Sequence, residues 1–159
     1  MKFISLLVAA LLTSTVAFAD DDGGMRAFWA QPQTTTKTAA KTSSATAGGP
    51  GYITAAAHRH GLNPRLLHAI VKIESGGNCR ARSYANAQGV GQVKPATARS
   101  VGVYGNLYNC ETGIEAAARY LKVAVGKAGA GCAGVSLYNL GVYARPRCTG
   151  YGRKVMAWL

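Results

Sequence analysis

Asn63-Pro64-Arg65-Leu66-Leu67-His68-Ala69-Ile70-Val71-Lys72-Ile73-Glu74-Ser75-Gly76-Gly77 is a helix with both of its ends written into it. Asn63 is suited to cap the first turn and Pro64 to occupy its first position, where a missing N–H costs nothing. Leu66, Leu67, Ile70, Val71 and Ile73 recur with helical spacing, and Gly76-Gly77 stops the run. Its last turn carries Glu74. Downstream of residue 50 the chain has fourteen Lys and Arg but only three carboxylates, Glu74, Glu111 and Glu115. General acid–base chemistry needs a carboxyl or an imidazole, so the scarcity narrows the search. Glu111 falls in the first turn of a later helix, where the dipole favours an anion. Glu115 stands four residues before Arg119, the favourable order for a surface pair. Glu74 has no such explanation. A helix C-terminus disfavours an anion, and Ile70, Val71 and Ile73 would desolvate an inward-pointing carboxyl. Both effects raise its pKa toward that of a general acid at neutral pH. Lys72 lies on another face and need not pair with it.

Outward from this helix the chain reads as a small, mainly α-helical domain over residues 51–159. Tyr52 to His60 predicts a short helix ended by Gly61. Asn78 to Lys94 is aperiodic and suits a loop or short hairpin, and Pro95 opens a brief helix to Ser100. A longer helix follows Asn109, with Ile114, Ala117, Ala118, Leu121 and Val125 on its buried face. Gly131 to Gly141 and Tyr151 to Leu159 predict two more. No internal repeat is present.

Residues 1–19 read as a secretory signal. Lys2 precedes an apolar stretch from Phe3 to Leu12, and Ala17-Phe18-Ala19 fits the small-x-small cleavage rule. Residues 20–50 have no hydrophobic period and are rich in Thr, Ala, Ser and Gly, as in a disordered tether. No later stretch is apolar for long enough to span a bilayer. Export makes the four cysteines, Cys79, Cys110, Cys132 and Cys148, an even set in an oxidising compartment. Of the three possible pairings, Cys79–Cys110 with Cys132–Cys148 is preferred, because each bridge joins the flanks of one predicted unit; each adds roughly 3 kcal/mol by chain entropy. No Cys-x-x-Cys pair is present to suggest zinc. The net charge of +12 would suggest nucleic acid in a nuclear or cytosolic protein; in an exported one it points to an anionic surface such as the cell wall. His58, His60 and His68 read as solvated or capping residues. No metal or organic cofactor is implied.

Gly61-Leu62-Asn63-Pro64, Leu66-Leu67, Ala69-Ile70, Glu74-Ser75 with Asn78, Gly89-Val90-Gly91-Gln92-Val93 and Pro95-Ala96-Thr97-Ala98 together resemble the soluble lytic transglycosylase family. Ala116 to Leu121, Tyr138-Asn139 with Gly141, and Tyr151 with Val155 match its later motifs in order, so the resemblance covers Tyr52 to Val155. The exported, basic, cysteine-bearing form is most similar to the small members that accompany type IV secretion, conjugation or pilus systems. The resemblance implies a lysozyme-like fold acting on peptidoglycan glycan strands in the periplasm, with secretion or conjugation components as further partners. It implies cleavage of the MurNAc–GlcNAc β-1,4 bond: Glu74 protonates the glycosidic oxygen, then accepts the proton of the C6 hydroxyl as that oxygen closes on C1 to give a 1,6-anhydro sugar. It also implies substrate contacts from Ser83, Gln92, Tyr138, Asn139 and Tyr151, with the Tyr138 hydroxyl facing Glu74 across the cleft. Two positions depart from the family pattern. Gly91 replaces a methionine expected to line a sugar subsite, which suggests a wider wall, and Lys94 replaces a residue more often apolar. A hydrolytic muramidase, and a non-catalytic wall-binding assembly factor, are the alternatives.

Overall fold

The computed structural model describes residues 49–159. The expected signal at 1–19 and all of the expected tether except Gly49 and Pro50 lie outside the described residues. Six helices follow in order: α1 (Pro50–Arg59), α2 (Pro64–Ser75), α3 (Pro95–Ser100), α4 (Cys110–Ala128), α5 (Cys132–Leu140) and α6 (Gly150–Met156). Helix α1 starts two residues before the expected Tyr52, because Gly49 takes the cap position and Pro50 the first turn. In α2 the Asn63 side chain accepts from the Arg65 amide at 2.9 Å, and Gly76 closes the helix at φ +64°.

Helix α4 is the centre. Helices α1, α2, α3 and α5 all pack on it, and α6 closes over α2 and α5. Its buried face is built largely from Gly113, Ala116, Ala117, Ala118 and Ala124, small enough for neighbouring backbones to approach closely; Ile114 and Leu121 supply bulk. Leu66, Leu67 and Ile70 of α2, Val135 and Leu137 of α5, and Val155 of α6 complete the same core.

Two disulfides, Cys79–Cys110 and Cys132–Cys148, pair as the sequence suggested. The first ties the segment after α2 to the start of α4. The second lies beside the crossing of α5 and α6, where a side chain on Gly152 would collide with Ser136 and Cys132. Ser136 Oγ donates to the Cys132 carbonyl at 2.7 Å and accepts from the Thr149 amide at 3.0 Å, while Thr149 caps α6. The first turn of α6, which carries Tyr151, is therefore fixed from three sides.

Between α2 and α3 the chain makes a short hairpin-like return, with Gln88 bridging to both Arg82 and Val93. Among the described residues no helix is long and apolar enough to cross a membrane.

Glu115 does more than pair with Arg119. It accepts from Arg119 Nε at 2.8 Å, lies 3.2 Å from Arg59 Nη2 and bonds His60 Nε2 at 2.8 Å, so it joins α4 to the end of α1. His60 is thus a cap residue engaged with a carboxylate, and His68 bonds Thr54 at 3.0 Å, so neither is simply solvated. Burial by itself would raise the Glu115 carboxyl, but hydrogen bonds from Arg119, Arg59 and His60 outweigh it and hold the group below its ordinary 4.5. A depressed carboxyl stabilises the fold above its unfolded-state pKa, and that contribution disappears as pH falls through the folded value. Glu115→Gln is expected to lower the unfolding free energy at neutral pH by about 1–2 kcal/mol. Urea titrations at a series of pH values should show the deficit closing in acid.

Candidate active site

Glu74 is set by the last turn of α2, and Ser75 anchors that turn. Ser75 Oγ donates to the Val90 carbonyl at 2.7 Å and accepts from the Gly77 amide at 3.2 Å. The segment Gly89–Val93 thereby packs against the end of α2. Gly89 is required there, since any Cβ would run into the Leu107 carbonyl and its φ is +72°. Gln92 takes a left-handed conformation, φ +48°, unusual for a residue with a side chain. Its Nε2 donates to the Gly89 carbonyl at 2.9 Å, which holds the turn closed.

The result is a cleft of ≈ 400 Å³. Glu74, Ser83, Gln92, Tyr138 and Asn139 all line it, so the structure brings together five of the six residues singled out in the sequence. Ser83 also accepts from the Ala87 amide at 3.0 Å, which shapes the hairpin. Tyr151 is absent from the lining. It stands behind Glu74 and donates its hydroxyl to Glu74 Oε1 at 2.7 Å.

This reverses the expected duties of the two tyrosines. The Tyr138 hydroxyl does not meet Glu74; it donates to the Gly91 carbonyl at 2.7 Å, and its ring packs against Tyr120 with centroids 5.2 Å apart. Helix α5 delivers Tyr138 to the wall of the cleft, whereas the fixed start of α6 delivers Tyr151 to the carboxyl. The wider wall expected at Gly91 is also corrected. Gly91 is buried, and a Cβ on it would lie 2.5 Å from Ala117 Cβ and 3.1 Å from the Tyr138 hydroxyl. Glycine here lets the loop approach α4 and α5 and opens no space toward a ligand. Lys94 does line the cleft, as do Thr97, Tyr120, Leu140 and Gly141. Thr97 and Tyr120 were not singled out, although both fall inside quoted motifs; their helical spacing marked them only as ordinary helix positions.

Burial raises the Glu74 carboxyl above its ordinary 4.5, and the Tyr151 hydrogen bond opposes that shift without cancelling it. Burial, followed by the nearby Glu74 charge, raises both tyrosine hydroxyls, so each stays protonated and Tyr151 remains a donor. Glu74 Oε1 is occupied by Tyr151. Oε2 has no protein partner, and no buried side-chain oxygen is left unpaired, so Oε2 keeps access to the cleft. The carboxyl can hold a proton on the oxygen that faces a ligand. Glu111 and Glu115 do not line the cleft. Among the described residues no group of three or more His, Cys, Asp or Glu is placed to hold a metal ion.

A raised carboxyl pKa costs stability. From the ordinary value of 4.5 upward the unfolded chain loses the Glu74 proton before the native state does, so native stability falls with pH across that window. Glu74→Gln keeps an acceptor for Tyr151 and removes this cost. The variant is expected to melt higher than the wild type at pH 7, with the gain vanishing below about pH 4. Paired thermal melts across pH test it; an equal melting temperature at neutral pH would place the wild-type carboxyl in bulk water.

The transglycosylase SLT domain model matches residues 51–153. A protein of Enterobacteria phage PRD1 described as a transglycosylase is 47% identical over 51 residues, which are 32% of this chain and 19% of the phage protein. An inactive mutant of the lytic transglycosylase Slt from Pseudomonas aeruginosa superposes with a TM-score of 0.60 at 20% identity, covering 68% of this chain and 22% of that one. The 70 kDa soluble lytic transglycosylase of Escherichia coli gives 0.52 at 24%, covering 69% and 18%. The chain thus spans about a fifth of the length of each of these relatives, and the two solved structures share its mainly α fold.

Proposed function

The chain belongs to the transglycosylase SLT domain family, and on that premise we propose that it is a lytic transglycosylase of peptidoglycan, cleaving the MurNAc–GlcNAc β-1,4 bond with a single carboxyl. The observation that carries this reading is that one acid serves the cleft. Retaining glycosidases place two carboxyl groups about 5–5.5 Å apart and inverting enzymes about 6.5–9.5 Å apart. Among the described residues Glu74 has no such companion in the cleft.

In the proposed sequence Glu74 Oε2 carries the proton and donates it to the glycosidic oxygen as the bond to C1 breaks, so GlcNAc leaves with a free hydroxyl. Positive charge develops at C1 and the ring oxygen, beside the carboxylate just formed. The C6 hydroxyl of the same muramyl residue then attacks C1, and its proton returns to Oε2. One bond forms and one breaks, no water is consumed, and the carboxyl ends protonated. Tyr151 holds Oε1 throughout. Tyr138 contributes its fixed ring to the wall, with Gln92, Asn139 and Ser83 as polar contacts to the sugar.

The reading extends to the periplasm and to local opening of the wall for a type IV secretion, conjugation or pilus machine. The signal-like start of the chain, the paired cysteines and the basic balance support that setting.

Digestion of purified peptidoglycan should release muropeptides one water lighter than hydrolysed ends. Glu74→Gln should lower that release by about 10³-fold. Products carrying the extra water would establish hydrolysis, and undiminished release by the variant would remove Glu74 from the chemistry. Tyr151→Phe removes the bond that favours the ionised carboxyl. Its pH–rate profile is therefore expected to keep activity to higher pH than the wild type, and a shift the other way would contradict the role given to Tyr151.

A further inference from the structure

Lys94 sets a second charge in the cleft. Among the described residues lining it, Glu74 is the acidic side chain and Lys94 the basic one. The position is built from both sides. Val93 exchanges two backbone hydrogen bonds with Gln88, at 3.0 and 3.2 Å, and the Lys94 carbonyl accepts from the Ala98 amide at 2.9 Å. Pro95 confines the residue before it to extended backbone, and Lys94 has φ −72° and ψ 143°. A fixed main chain with an exposed four-carbon stem presents an ammonium at a set edge of the cleft.

Among the described residues that ammonium has no salt-bridge partner. Every salt bridge among the described residues converges on Glu115, which lies outside the cleft. Glu74 is hydrogen-bonded by Tyr151 and forms no salt bridge with Lys94, so the ammonium is left for whatever occupies the groove.

We infer that Lys94 is a specificity residue, its ammonium binding a carboxylate carried on the lactyl arm of the muramyl sugar. The inference rests on the reading of the cleft as a muramyl-glycan site. The carboxylate has two possible sources: the free lactyl group of a sugar without its peptide, or a free carboxyl within an attached peptide stem. Either gives a charge-assisted hydrogen bond that an apolar side chain at this position could not.

The test compares three glycan preparations: strands whose stem carboxylates have been converted to amides, strands with stem carboxylates intact, and strands stripped of stems by an amidase. Wild type, Lys94→Met and Lys94→Arg are each assayed for kcat/KM, and their Glu74→Gln forms for affinity by calorimetry. The wild type should favour one carboxylate-bearing preparation over the amidated strands by about tenfold. Which preparation is favoured identifies the source. Lys94→Met should bring that ratio close to one, Lys94→Arg should keep it, and added salt should erode it. A uniform loss on all three preparations, or a ratio untouched by Lys94→Met, overturns the inference. If the wild type releases anhydro ends with such a ratio, the proposed function stands without Lys94. If no strand is cleaved but carboxylate binding still depends on Lys94, the recognition stands and the transglycosylase reading falls.

Discussion

The short segment Gly89–Val93 is pinned at successive carbonyls, and the site depends on that pinning. Gln92 donates to residue 89, Ser75 to residue 90 and Tyr138 to residue 91. Each donor comes from a different part of the fold: the segment itself, the end of α2, and α5. The carbonyls of an irregular stretch must find partners when buried, and here two of the three partners, Gln92 and Tyr138, are side chains that line the cleft, while the third, Ser75, follows Glu74. Satisfying the backbone and shaping the site are the same event. Gly91 is the steric counterpart, since only a residue without a side chain fits between Ala117 and the Tyr138 hydroxyl.

The three carboxylates of the domain show how one residue type takes three characters from its surroundings. Glu111 sits in the first turn of α4, exposed and opposite the helix dipole. Glu115 is held ionised by two arginines and His60, and spends its charge on joining helices. Glu74 receives only a neutral hydroxyl. A cation at that point would stabilise the fold and abolish the acid, because it would favour the ionised form. With fourteen basic side chains beyond residue 50, leaving Glu74 without a salt bridge to any of them is itself a constraint on the sequence.

Helix positions were readable because their ends carry local chemistry. Asn63-Pro64, Gly76 and Asn109 act within a few residues, and the structure uses each as a cap. The fold class and the carboxyl of interest followed from the same local signals and from the ordered motifs. What could not be read is what depends on tertiary packing. Whether Tyr138 or Tyr151 touches Glu74 depends on how α5 and α6 cross, and that crossing is set by the contact between Gly152 and Ser136. From sequence alone Gly91 reads as space toward a ligand, because a sequence gives residue volume but not the direction in which it is missing. His60 and His68 found partners 55 and 14 residues away, beyond any periodic pattern.

In the proposed function, the different surroundings of the two oxygens of Glu74 bear on how one acid would serve both steps. A carboxyl free to rotate would present its proton and its lone pairs in random order, and each half of a two-stage transfer would wait for a new orientation. Tyr151 donates to Oε1, so the neutral acid is favoured with its proton on Oε2. After donation, the same hydrogen bond stabilises the carboxylate while Oε2 still faces the cleft. On the proposed reading the oxygen that gives the proton is therefore the one that takes it back, with no rearrangement between the two steps. A second carboxylate nearby would raise the cost of ionising the first. On the same proposed reading, the absence of a second carboxylate among the described residues of the cleft lining lets a single group alternate between acid and base at modest cost.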